Sequence, residues 1–290
     1  MEEPSVVKPY PTLKQTWGLL AVLLLITLFV AGSVIVVKMA LKSGEPQQIV
    51  NGPWFMLLLY TLQFTLIILF AFMLKKRHEP NYSPSWKFIG PGEAALIAVI
   101  TVGLTFLVDP ITDLIPMPEF LKKLLLELLS DRSLPTVLML VVAAPICEEL
   151  LFRGIILDGL LKNYAPKRAI IWSAFFFGIA HLNPWQFIAA LVLGGFMGWV
   201  YWRTGSLWAT LIIHFIANGS SVLIGSLIAP TPNEWITTRQ LVGNDLLYLG
   251  LLTLDLIAVL GAVSLLRAVW FKKSETLTGR NSSEAARTRV

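Results

Sequence analysis

Long unbroken apolar runs dominate the chain, and polar residues gather in short stretches between them. Residues 16–37 carry no charge over 22 positions, more than the roughly 20 apolar residues a helix needs to cross a ~30 Å hydrocarbon core. The same measure marks 53–74 and 207–228 as spans, with 135–161 and 246–270 as spans that enclose charged residues. Residues 93–108 form a shorter run ending at Asp109-Pro110, so a tilted or partly re-entrant segment is expected there. The uncharged stretch 169–202 is too long for one helix, and Asn183-Pro184 within "HLNPWQ" marks a turn that divides it in two. The expected fold is all-α, a polytopic membrane protein of about eight transmembrane helices.

Outside the spans, residues 120–129 place Leu121, Leu124, Leu125 and Leu128 on one helical face against Lys122, Lys123 and Glu127. That pattern fits a helix lying in the membrane interface or a short extramembrane packing helix. Gly194 and Gly198 form a small-xxx-small pair suited to close helix approach. Trp17, Trp54, Trp172, Trp185, Trp202, Trp208 and Trp270 fall near span ends, as interfacial belts do. The first apolar run is longer than the core of a signal peptide and is expected to be retained.

Composition agrees with this pattern. The chain is 56% hydrophobic and 14% charged, whereas soluble domains carry about 25% charged residues. Its net charge of +5 is scattered over short loops and forms no continuous basic face, which excludes a nucleic-acid partner. With eight spans the side shared by both termini collects most of the basic residues, Lys75, Lys76, Arg77, Lys87, Lys162 and Arg168 among them. Both termini are therefore expected in the cytoplasm. Cys147 is the sole cysteine, so no intramolecular disulfide forms.

The stretch "APICEELLFRG", residues 144–154, puts Glu148, Glu149 and Arg153 inside a span. Each charge at the bilayer centre costs about 2.5 to 3.5 kcal/mol on insertion scales, so such residues pair or perform chemistry. Arg153 follows Glu149 by four residues, which places both on one face in the favourable order for an ion pair. Glu148 lies about 100° around the helix and cannot share the arginine equally well. It is left without a cationic mate, as a general base for neutral pH requires. A tertiary salt-bridge network that locks helices together is the structural alternative.

Of the three histidines, His78 lies in the basic loop "KKRHEP", while His181 and His214 lie within spans. Each of the latter has a companion four residues away on its own face, Phe177 before His181 and Asn218 after His214. A lone membrane histidine usually serves an interhelical hydrogen bond. Counted at 1.5 Å per residue from the ends of their spans, however, Glu148, His181 and His214 all reach the middle third of the core. Asp255 is the other carboxylate expected in the bilayer, either bonded across helices or lining a polar cavity.

The ordered set Glu148-Glu149-x-x-x-Arg153 with Phe152, Phe177-x-x-x-His181 and His214-x-x-x-Asn218 resembles the three-part signature of the CPBP family. This is the family of CAAX proteases and bacteriocin-processing enzymes also called ABI. The resemblance implies an intramembrane glutamate endopeptidase that needs no cofactor and no metal. It implies that Glu148, assisted by His181, activates a water for attack on a peptide carbonyl, and that His214 and Asn218 form the oxyanion hole. Glu149, Arg153 and Phe177 are implied as supporting residues. Donors aimed at a developing oxyanion in a dry site each contribute about 3 to 4 kcal/mol. The implied partners are a peptide or membrane-protein substrate, lipidated in the CAAX case, and the lipid bilayer.

The chain then divides into a cytoplasmic segment 1–15, N-terminal helices and loops 16–134, and a CPBP-like catalytic core 135–229. A loop and last span 230–271 and a disordered cytoplasmic tail 272–290 follow. If the targets are prenylated, removal of the last three residues after a lipidated cysteine is the expected reaction. In a bacterium the protein would lie in the cell membrane and act on a pheromone, a bacteriocin precursor or another membrane protein.

Four competing readings remain from the residues. Glu148, His181 and His214 are a possible zinc set, though no HExxH helix supplies the ligands. Cys147 is a poor nucleophile beside Glu148. A non-enzymatic relative, an immunity or scaffold protein, would keep the fold without the chemistry. An ion-coupled transporter would use Glu148, Glu149 and Asp255 as relays, but no matched halves or paired broken helices accompany them.

Overall fold

The computed structural model describes residues 8–41, 45–228 and 237–287; side chains beyond residue 272 lie outside the described set. Among the described residues the chain is all-helical, with a single isolated bridge between Trp86 and Ser206. The helices in order are α1 (Leu13–Ala40), α2 (Glu45–Asn51), α3 (Pro53–His78), α4 (Pro91–Thr112) and α5 (Glu119–Ser130). They continue as α6 (Leu134–Asn163), α7 (Pro166–Ile179), α8 (Pro184–Thr204), α9 (Leu207–Ile228), α10 (Thr238–Val242) and α11 (Asp245–Arg287). Prolines open α3, α4, α7 and α8, where the missing N–H costs no hydrogen bond.

Seven of these helices are long and apolar enough to cross a membrane, namely α1, α3, α4, α6, α8, α9 and the first part of α11. The polytopic all-α expectation holds, and the remaining expected span is α7. At 14 residues α7 is only about 21 Å long. It ends at the turn His181–Asn183, where Leu182 adopts a left-handed backbone with φ 56°, a conformation that costs a non-glycine residue roughly 1–2 kcal/mol.

Other boundaries move. Asp109-Pro110 does not end α4, which runs on to Thr112; a proline this near the C-terminus removes one hydrogen bond and the last turn still closes. The amphipathic helix appears as α5, but its buried residue is Leu126, and Leu124 is 58% exposed. α11 runs past the lipid zone to Arg287, through the tail expected to be disordered. A helix already nucleated in the span adds one hydrogen bond per residue without a new nucleus. Trp270 is buried and bonded to Glu93, so it packs in the bundle and does not join a lipid-facing belt. Asp255 sits against Gly103 of α4, and its Oδ2 makes no hydrogen bond.

One end of the bundle is tied by a charged network. Lys75 Nζ is fully buried and donates to the Tyr10 carbonyl at 2.7 Å, to Asp158 at 2.7 Å and to Glu79 at 3.1 Å. Lys162 bonds to both carboxylates from outside. Gly159 has no room for a Cβ, which would lie 2.3 Å from the Pro11 nitrogen, so the N-terminal segment seats directly on α6. Tyr82 donates to the carbonyl of Gly154 in the middle of α6. The loop between α3 and α4 is pinned to the start of α9 through Leu207 N to Ser85 O at 3.0 Å.

Burial alone would raise the Glu79 carboxyl, but the hydrogen bonds and charges of Lys162 and Lys75 hold it below its ordinary range. A carboxyl held low in the folded protein adds stability above the ordinary glutamate range, and that contribution is lost as pH falls through the folded value. Thermal unfolding in detergent should therefore show a midpoint that drops on acidification below about pH 5. Glu79→Gln should lower the midpoint at pH 7 and flatten this dependence.

Candidate active site

Glu148, Glu149 and Arg153 project from the middle of α6, where an α-helical stretch Ala144–Glu149 lies between two π-helical ones, Leu138–Ala143 and Leu150–Leu157. Widened turns of this kind concentrate at functional sites because they re-aim side chains. The spacing of Glu149 and Arg153 does what the sequence predicts. Arg153 Nη1 donates to Glu149 Oε1 at 2.6 Å, with both side chains almost fully buried. Arg153 also reaches the Gly194 carbonyl on α8 at 3.4 Å and lies 4.3 Å from the centre of the Phe177 ring. A Cβ on Gly194 would stand 3.1 Å from Phe177 and 3.3 Å from Arg153, so the small residue is what lets α8 close over the pair.

His214 comes from α9. Its Nδ1 lies 2.8 Å from Glu149 Oε1 and its Nε2 lies 3.8 Å from Glu148 Oε2. An ionised carboxylate can only accept, so Nδ1 carries the proton and the ring is oriented with Nε2 toward Glu148. His181, at the end of α7, has Nδ1 2.9 Å from the carbonyl of Phe177, which by the same reasoning leaves its Nε2 as the lone-pair nitrogen. Phe177 meets both imidazoles edge-on, at 5.1 Å for His181 and 5.7 Å for His214.

Glu148 stands apart from the ion pair. Its Oε1 accepts a hydrogen bond from the Tyr60 hydroxyl at 2.6 Å, and its Oε2 is buried without a hydrogen-bond partner. Glu148 and His181 line one cavity of about 470 Å³, walled by Trp17, Leu20 and Leu24 of α1 and by Tyr60 and Gln63 of α3. Most of that wall is apolar. Asn218 does not line the cavity; its Nδ2 donates to the Leu140 carbonyl of α6 at 2.9 Å. Among the described residues no three His, Cys, Asp or Glu side chains gather as a metal-ligand set. Cys147 is half-buried and packs against the hydrophobic core.

Tyr60 was missed in the sequence. The signal is a pair of polar residues three apart, Tyr60 and Gln63, on one face of an otherwise apolar span. Its ring is held by stacking on Phe64 at 4.8 Å.

With this geometry in place, the comparison with known families is specific. Residues 130–220 match the family model described as Type II CAAX prenyl endopeptidase Rce1-like. The match bears out the resemblance to the CPBP family and supports a membrane endopeptidase of the CAAX-protease type. It takes in Glu148, Glu149, Arg153, Phe177, His181, His214 and Asn218. It leaves out α1 and α3, which supply Tyr60 and the outer wall of the cavity. No curated protein and no solved structure matches the chain.

Removing Arg153 would leave Glu149 as a buried uncompensated charge. Arg153→Ala should cost about 3–5 kcal/mol, seen as a sharp fall in the thermal midpoint of detergent-purified protein. An unchanged midpoint would show that the pair does not hold the helices together.

Proposed function

We propose that the protein is an intramembrane endopeptidase in which Glu148 and His181 activate a water for attack on a peptide carbonyl. The observation that carries this reading is the division of the two glutamates. Glu149 is neutralised by Arg153 and bonded to His214, while Glu148 keeps one oxygen without a hydrogen bond and lines the same cavity as His181. A carboxylate with a free lone pair and an imidazole with an unprotonated nitrogen are the two proton acceptors such a step needs.

In the proposed cycle a water held between Glu148 Oε2 and His181 Nε2 gives up a proton to this pair as its oxygen adds to the scissile carbonyl. The resulting tetrahedral oxyanion faces His214 and Asn218. Asn218 retains one amide N–H beyond the one donated to Leu140, and His214 donates from Nε2 when that nitrogen carries a proton. Collapse of the intermediate breaks the C–N bond, and the stored proton passes to the leaving amine. Phe177 holds the two imidazoles at right angles to its own ring.

The substrate in this reading is a peptide or membrane protein presenting an apolar, lipidated segment to the cavity wall of α1 and α3. Where prenylated CAAX proteins exist, cleavage after the lipidated cysteine fits. Both termini lie in the cytoplasm, a placement supported by the meeting of Lys75, Lys162 and the N-terminal segment at one end of the bundle.

The test is cleavage of a peptide library by the purified chain. Glu148→Gln and His181→Ala should each abolish turnover without lowering the thermal midpoint, and a chelator should leave wild-type turnover intact. Full activity in Glu148→Gln would rule out the scheme. Tyr60→Phe removes only the hydroxyl that fixes the Glu148 carboxylate. Loss of one hydrogen bond to a charged group predicts a roughly 10- to 100-fold fall in kcat with KM little changed.

A further inference from the structure

Away from the catalytic cavity, α8 and α11 leave between them a cleft of about 430 Å³ lined by Trp199, Arg203, Arg267, Ala268 and Phe271. It lies at the end of the bundle where the loop after α3 meets the end of α8, through Ser206 bonded to the Lys87 carbonyl. Trp199 and Arg203 are four residues apart on α8, as are Arg267 and Phe271 on α11, so each pair projects from one helical face.

The arginines reach crosswise. Arg267 lies over the Trp199 ring of the opposite helix, and Arg203 over the Trp270 ring, each at 5.7 Å. Trp270 is fixed in turn by its hydrogen bond to Glu93 at 2.7 Å and by packing on Trp199 at 4.8 Å. These ring contacts place both guanidinium groups but consume none of their N–H donors. Each guanidinium carries five, and neither arginine has a hydrogen-bond or ion-pair partner among the described residues. Phe271, which lines the cleft beside them, is 62% exposed, so the cleft opens on the outside of the bundle.

We propose that this cleft binds the phosphate headgroup of an anionic phospholipid from the leaflet at that end of the bundle. Two guanidinium forks converging on one cleft match the oxygens of a phosphodiester, which they hold bidentately. A zwitterionic lipid brings its own ammonium toward two guanidinium cations, and is disfavoured. The exposed Phe271 provides apolar surface for an acyl chain, and basic pockets between spans near the charged leaflet are suited to such headgroups. A lipid bound there bridges α8 and α11. The opposite face of α8 carries Gly194 against Arg153, so the headgroup braces the helix behind the Glu149–Arg153 pair. This site is independent of the proteolytic reading.

The experiment uses the full chain, delipidated in neutral detergent and titrated with phosphatidylglycerol, phosphatidylcholine or inorganic phosphate, with native mass spectrometry and thermal unfolding as readouts. The expected result is retention of one phosphatidylglycerol with a raised midpoint, and little effect of phosphatidylcholine. Double substitution Arg203→Gln with Arg267→Gln should weaken phosphatidylglycerol binding roughly 10-fold or more. Should that variant not fold, Arg203→Lys with Arg267→Lys keeps the charge and loses the fork, and should bind several-fold more weakly. Equal binding of both lipids, unchanged binding in the folded variant, or equal stabilisation by inorganic phosphate would each overturn the lipid assignment.

Discussion

A guanidinium with no access to water holds the centre of this bundle. Arg153 is fully buried, and a cation in that position persists only if several elements satisfy it at once. Glu149 supplies the counter-charge from the same helix, Phe177 of α7 offers its ring, and the Gly194 carbonyl of α8 accepts an N–H. His214 of α9 completes the group by bonding to the same glutamate oxygen. Four helices are thus required to meet at one depth. The pairing also sets the neighbouring acid apart, because Glu149 takes the hydrogen bond of the arginine and Glu148 is bonded to the Tyr60 hydroxyl.

The consequence is a division of labour between adjacent glutamates that differ by one position in sequence. Glu149 faces inward and organises protein, while Glu148 faces a cavity and is held by one neutral hydroxyl. Tyr60 and most of the cavity wall come from α1 and α3, outside the segment that matches the family. The helices that carry the motif residues and the helices that wall the cavity are therefore separate parts of the chain.

The charged end of the bundle serves a different purpose. Lys75 joins the N-terminal segment, α3 and α6, and Tyr82 carries that connection to Gly154, next to Arg153. Buried polar contacts at this end and at the Glu149–Arg153 pair are linked along α6. Most of the remaining helix surface is apolar in all directions, as Leu25, Leu28 and Phe29 of α1 show by their exposure, because lipid takes the place of water around it.

Sequence by itself determined the all-helical membrane architecture, since a run of about 20 apolar residues has no other stable state in a bilayer. It also determined the Glu149–Arg153 pair, because i and i+4 positions meet on any helix, and the identity of the three motifs. Tertiary structure alone decided the rest. The Tyr60 contact spans 88 positions, and no local rule reports a contact of that range. The short α7 and the widened turns of α6 depend on what packs against them. Asn218 shares a face with His214, as its spacing requires, yet the carbonyl of Leu140 on another helix decides where its amide points. Periodicity determines which face a side chain occupies; only packing determines what that face meets.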